Sequence, residues 1–365
     1  MLFRYILVNI FSFIKRFFAF NTTIYNAIVL IPIFTVFTSK ISKRSLGFVF
    51  LFSVVILISG NIKLFGQFGL YFLLLLAIPM FKKVNFEQLI EKSILFFIIV
   101  SFYGIFQKIF GYTFVEKNWI LSGLSFAAEA EFLASDDVRP FSTFASMPEF
   151  TLFISIYLYY FKTKAKTIWI FFSFVMLYVA GSRGVFISVI TAYIFVFIFK
   201  KYKRKHLLMS FLASLTVFFF LIYLFPLLFY ETEFNSRMLA YGSFNARVEL
   251  LTKILEVSTP YSLLTGVDLS FLNIDYTFDN LYFMLVTNFG IFGALYFIFF
   301  LLMQKIDRKS FYFITIFLGY GFYADMVFSY YLMFLFFFAM FSNSTIIAEE
   351  NKQDQSVNPV NLLSS

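Results

Sequence analysis

The chain has 365 residues, 61% of them hydrophobic and only 13% charged, with a mean hydropathy of +0.86. Its 62 Phe, 23 Tyr and 2 Trp exceed what one aqueous core could bury, a composition that excludes a soluble globular enzyme. The lack of Cys and the single His, His206, leave no disulfide framework, no thiol nucleophile and no basis for a His/Cys metal centre; 29 basic against 20 acidic residues give a net charge of +9.

In chain order, apolar runs long enough to cross a bilayer are predicted near 21–39, 45–60, 64–81, 93–110, 147–161, 167–181, 184–199, 207–229, 279–302, 310–323 and 327–341. Residues 2–20 are also apolar but carry Arg4, Lys15 and Arg16, so they read as a poorer twelfth span or as a helix lying at the interface. The Phe, Val and Ile enrichment would argue for strands in water. In lipid no water reaches the backbone, so each span is expected to be a helix. The expected fold is therefore all-α: a polytopic membrane bundle of about twelve helices, with eleven as the alternative. It forms one transmembrane domain over 1–341, followed by a polar, disordered cytoplasmic tail at 342–365. The N-terminal residues lack the pattern of a removable signal peptide.

Two long polar stretches, 111–146 and 230–278, separate the two faces. Residues 111–149 and 230–279 together hold five bases (Lys117, Arg139, Arg237, Arg247, Lys253) against thirteen acids. The short connections around Lys40, Lys82, Lys162, Lys200 and Lys305 hold seventeen bases against Glu87, Glu91 and Asp307. The positive-inside rule puts the short basic loops in the cytoplasm and both long loops outside. Those basic clusters need no further role than orientation and contact with anionic headgroups, so the net charge gives no reason to expect a nucleic-acid partner. His206 ends one of them and reads as structural or headgroup-facing.

Arginine is scarce, nine against twenty lysines, yet four of the nine fall on the outer side: Arg139, Arg183, Arg237 and Arg247. Orientation does not require positive charge there. A guanidinium fork that grips phosphate or carboxylate in two places accounts for them, with pairing to the surrounding acids as the plainer reading. Arg139-Pro140-Phe141-Ser142-Thr143-Phe144 leads into a span that opens at Met147-Pro148-Glu149. Gly181-Ser182-Arg183-Gly184 forms a sharp turn that puts Arg183 at the mouth of the bundle, as an anion ligand or a snorkelling anchor. Residues 246–257 carry an apolar stripe of Val248, Leu251 and Leu255, an amphipathic helix stopped at Ser258-Thr259-Pro260. Asp279 begins a span beside Asn280, as a helix cap or as a base facing the arginines. Asp325 marks the outer turn between the last two spans, either as a functional acid or as part of the turn itself.

In this order the pieces resemble the superfamily of bacterial O-antigen polymerases and O-antigen ligases. Arg139-Pro140 is similar to that family's Arg-Pro-x-Gly-Thr-Phe stretch, with Ser142 in the Gly place. Gly181-Ser182-Arg183-Gly184 resembles its Ser-Arg-Gly turn, the Arg247 segment through Gly266-Val267-Asp268 its Gly-x-Gly end, and Asp279-Asn280-Leu281 through Gly290-Ile291-Phe292-Gly293 its span after the large outer loop. The likeness runs from about Arg139 to Leu302. Its ligases have His at the position of Asp279, and this chain has no outer His, which favours a polymerase.

The resemblance implies an enzyme of the cytoplasmic membrane with its site facing the periplasm or cell exterior. It would join polyprenyl-diphosphate-linked glycan repeats by inverting glycosyl transfer, with no cofactor, metal or nucleotide sugar. Arg139 and Arg247 would hold and neutralise the diphosphate, with Arg183 and Arg237 in support. Asp279 would orient or deprotonate the acceptor hydroxyl, and Asn280, Glu149 and Asp325 would line the substrate site. Membrane lipids, a flippase and a chain-length regulator are the partners such a role allows. A ligase that transfers to another acceptor and a flippase for lipid-linked glycans are the alternatives. Against transport, the sequence has no repeat of two halves and no charge near the middle of most spans.

Overall fold

The computed structural model describes residues 43–59, 74–121, 138, 140–142, 144, 147–181, 183–199, 203–219, 252–254, 256, 258–267, 280–302, 306–322 and 330–343. Among these, every regular element is helical: α1 (Lys43–Ser59), α2 (Ile78–Phe81), α3 (Phe86–Lys92), α4 (Ile94–Phe110), α5 (Phe114–Leu121), α6 (Met147–Thr163), α7 (Thr167–Ala180), α8 (Arg183–Ile198), α9 (Arg204–Phe219), α10 (Pro260–Thr265), α11 (Leu281–Leu302), α12 (Arg308–Tyr320) and α13 (Tyr330–Phe341). The β-propensity of the Phe- and Val-rich runs is overridden, as expected. The apolar runs at 2–20 and 21–39 and the tail from 344 onward lie outside the described residues.

Helix ends follow local chemistry. Gly111 (φ 80°) ends α4, its amide donating to the Gln107 carbonyl at 2.9 Å, and Gly181 (φ 71°) ends α7 in the left-handed conformation that a side chain disfavours. Asp307 opens α12 through a reciprocal box: its carboxylate accepts from the Ser310 amide at 2.7 Å, while its own amide donates to the Ser310 hydroxyl at 2.8 Å.

Three helices form the centre. Nearly every residue of α6 and α12 is buried, and so is α13 from Leu332 onward, as expected of helices that are apolar all round. α6 packs on α7, α8 and α13, while α12 packs on α8, α9 and α13. Small residues allow the closest approach: a Cβ at Gly319 would lie 3.0 Å from the hydroxyl oxygens of both Ser188 and Ser214, and the Ser210 hydroxyl reaches that of Thr315 at 3.2 Å. Aromatic rings fill the rest, as where Phe97 stacks on Tyr157 at 4.5 Å.

The outer helices bury one stripe and expose another that is equally apolar. On α4, Phe97, Val100, Ser101 and Gly104 face inward while Leu95, Ile99, Phe102, Phe106 and Ile109 are exposed. On α7, Ile168, Phe171, Val175 and Tyr178 are exposed opposite Ser173, Met176, Leu177 and Ala180. Among the described residues, Leu281–Leu301 is the one helix long and apolar enough to cross a membrane alone. Phe86–Lys92 and Ile94–Phe110 qualify as a pair bent by 58°, and five further apolar helices are shorter, at 10–17 residues. At the bend, the Tyr157 hydroxyl donates to Ser93 Oγ at 2.8 Å and approaches its carbonyl at 3.2 Å.

The two residues that follow α13 pair with the start of α3 and with α12. Asn343 pairs with the stretch before α3 through two backbone bonds of 2.8 Å, Phe86 N–H to its carbonyl and its own N–H to the Val84 carbonyl. The ammonium of the buried Lys309 donates to the carbonyl and hydroxyl of Ser342 and lies 4.9 Å from the Phe86 ring centroid. His206, half-buried nearby in sequence to the basic run, stacks on Phe199 at 4.0 Å, a structural use of its ring.

Candidate functional site

The segment around Arg139 is fastened to the end of α4. Gln107 is fully buried and bonds Ser142 twice: its Oε1 accepts from the Ser142 amide at 2.7 Å, and its Nε2 donates to the Ser142 carbonyl at 3.2 Å. The Ser142 hydroxyl donates to the Val100 carbonyl at 2.5 Å, and Lys108 Nζ donates to the Val138 carbonyl at 3.0 Å. Ser142 has φ 53°, the left-handed backbone that glycine adopts without cost.

Glu116 anchors this arrangement. It is buried, and its Oε1 accepts from the Tyr103 hydroxyl at 2.8 Å and from Gln107 Nε2 at 2.6 Å. Its Oε2 accepts from the amide and hydroxyl of Thr113 at 2.9 and 3.0 Å, which also caps α5. A buried carboxylate would be costly without such donors. Phe141 covers the fastening, stacked on Tyr112 at 4.9 Å and beside Trp119 at 6.1 Å.

A second cluster joins the start of α11 to the turn after α12. Asn280 caps α11: its Oδ1 accepts from the amides of Tyr282 and Phe283, both at 3.0 Å. Its Nδ2 donates to the Phe322 carbonyl at 3.1 Å, and the Leu281 amide donates to the Gly321 carbonyl at 2.8 Å. The buried Asn280 side chain is thus committed to joining two helices.

The third feature is a break in α11. At Gly290 (φ 67°, ψ 178°) the helix kinks, and α10 packs into the gap. The Thr287 carbonyl, whose helical partner would be the amide beyond the kink, instead accepts from the Val267 amide at 2.6 Å. α10 opens with Pro260 at its first turn and a Thr259–Ser262 capping box, so the residues expected to stop one helix also start another. Upstream, Thr252–Ile254 is helical with Ile254 buried and Thr252 and Lys253 exposed, in keeping with an amphipathic helix there.

Arg139, Arg237, Arg247, Asp279 and Asp325 lie outside the described residues, and so does the side chain of Arg183. The backbone of Arg183 begins α8 straight after the Gly181 turn. Glu149 is buried in the first turn of α6, where the helix dipole favours its charge. Sequence reading passed over Gln107, Lys108, Glu116 and α10. The signals for the last two were local: Thr113-x-x-Glu116 and Thr259-Pro260-x-Ser262 both have capping spacing. Among the described residues, no group of three His, Cys, Asp or Glu could hold a metal ion. Comparison of the chain with protein-family models, with curated proteins and with solved structures finds no match.

Proposed function

We propose that this chain is a multi-pass enzyme of the cytoplasmic membrane, a polysaccharide polymerase that joins polyprenyl-diphosphate-linked glycan repeats at the outer face. Two observations support membrane embedding. Apolar stripes on α4 and α7 are exposed where a soluble protein would carry polar residues. Each end-to-end fastening also joins residues that the charge pattern assigns to one face: Lys309 with Ser342 inside, Gln107 with Ser142 and Asn280 with Phe322 outside. Helices of 14–17 residues are about 21–26 Å long, close to a hydrocarbon thickness of about 30 Å that a bundle can locally thin.

The observation that carries the enzymatic reading is the left-handed, buried Ser142 beside Arg139-Pro140, which supports the resemblance where it is most specific. In the proposed reaction, Arg139 and Arg247 grip the donor diphosphate, with Arg183 and Arg237 alongside, and stabilise the charge that grows on it as the anomeric bond breaks. Asp279 orients the acceptor hydroxyl and takes its proton as oxygen attacks the anomeric carbon with inversion. The polyprenyl diphosphate leaves with the bonding electrons. Glu149 and Asp325 line the substrate site. Asn280 contributes by holding α11 against the turn that precedes Asp325. No metal, cofactor or nucleotide sugar takes part; a flippase and a chain-length regulator are the partners that fit.

The test is the purified full chain in lipid with a synthetic diphosphate-linked repeat. Longer lipid-linked products support the polymerase. Transfer of the glycan to a different acceptor without lengthening would make it a ligase, and movement across the bilayer with no new bond would make it a flippase.

A further inference from the structure

Val138 and Ser142, which flank Arg139 in sequence, are bonded by two adjacent residues of one helix. Lys108 bonds the carbonyl of Val138, one residue before it, and Gln107 bonds both the amide and the carbonyl of Ser142, three residues after it. Pro140 between them is buried and rigid in φ, and Phe141 is clamped by Tyr112. The backbone of Ser142 fixes how the Gln107 amide lies, since its N–H only donates to Oε1 and its carbonyl only accepts from Nε2. Glu116 holds the same orientation from the other side, its carboxylate accepting from Nε2 at 2.6 Å. Tyr103 and Thr113 in turn hold Glu116.

We infer that Gln107, held by Glu116, and Lys108 are positioning residues that hold the Arg139 segment in register with the donor diphosphate. This rests on the proposed role of Arg139. A guanidinium grips a diphosphate bidentately only if its backbone starts from a fixed place, and a displacement of about 1 Å is enough to cost a large factor in a positioned interaction. The fastening is built at the end of a helix whose other face is apolar and exposed, so α4 serves as the rigid rod from which the strap hangs.

The experiment is a double-mutant cycle on the full chain in lipid nanodiscs, reading the affinity for farnesyl diphosphate and for farnesyl monophosphate. Arg139→Ala is expected to weaken diphosphate binding about tenfold or more. Gln107→Met keeps length and volume but loses all three bonds, and it is expected to weaken binding about fivefold in the parent and less than about twofold in the Arg139→Ala background. Lys108→Met, which frees the Val138 carbonyl, should show the same pattern at smaller size and serves if Gln107→Met does not fold. Equal losses in both backgrounds, or none in either, would overturn the positioning role while leaving Arg139 as a ligand. Unchanged binding in Arg139→Ala itself would overturn the reading of Arg139, and the positioning role with it.

Discussion

Gly290 and Leu264 meet backbone to backbone: a Cβ added at Gly290 would run into the Leu264 carbonyl. The contact is reciprocal, because a Cβ at Gly266 would lie 2.5 Å from the carbonyl oxygen of Asn288. Both glycines also have left-handed φ, 67° and 111°. Gly290→Ala should therefore cost about 1–2 kcal/mol from backbone conformation alone, and more from the displaced α10. Gly47→Ala, with open space around the added carbon, should be neutral or slightly stabilising. Thermal unfolding in nanodiscs distinguishes the two, and a parental melting temperature for Gly290→Ala would mean that α10 does not dock there.

Ser142 offers a sharper comparison. Replacing it with Gly relieves a left-handed φ, a gain of about 1 kcal/mol, and loses the hydroxyl bond to Val100, a similar cost. The two nearly cancel, so Ser142→Gly should melt and elongate glycan much like the parent. Ser142→Val loses the bond and puts a β-branched side chain at positive φ, and should be destabilised by about 2 kcal/mol or more. Equal stability of the Gly and Val variants would show that the segment does not hold this conformation.

Asn280 and Asp279 should separate cleanly. Asn280→Ala removes the acceptor for two helix amides and the donor to Phe322, with an expected loss of about 1–2 kcal/mol in unfolding measurements. Asp279→Asn leaves that cap intact, so its melting temperature should stay within a degree or two of the parent while elongation falls about tenfold or more. Loss of stability without loss of per-molecule turnover in Asp279→Asn would return the residue to a structural role.

Where polar punctuation was dense, the sequence was a good guide to the helices. The expected span 147–161 corresponds to Met147–Thr163 and 167–181 to Thr167–Ala180, because lysines and Gly181 end the apolar runs sharply. The all-helical class was legible for the same reason. The short helices α3, α5 and α10 were not, since fewer than nine mixed residues leave no hydropathy run. Gln107 stands beside Lys108 near the end of an apolar span, and nothing local reveals that its amide pairs with a backbone thirty-five residues on. Asp279 and Asn280 share the same capping chemistry at the start of α11, and nothing in the sequence says that Asn280 is the one that supplies the cap.

Topology can be read directly in a chain without cysteine. A single Cys at Ser236 should react with a membrane-impermeant maleimide added outside, and one at Lys203 only after the inner face is opened. Labelling at Ser236 from the cytoplasmic side alone would invert the bundle and remove the arginines from the outer face.

The most direct measurement counts polyprenyl diphosphate released per glycosidic bond formed, in purified reconstituted protein with a lipid-linked repeat and excess EDTA. One diphosphate carrier should be freed for each repeat added, with the new linkage inverted at the anomeric carbon. Arg139→Lys with Arg247→Lys, which keeps the charge and loses the fork, should slow release on the order of 10²-fold. Undiminished release and elongation in that double variant would contradict arginine-held diphosphate transfer, and no release in the parent chain would contradict glycosyl transfer altogether.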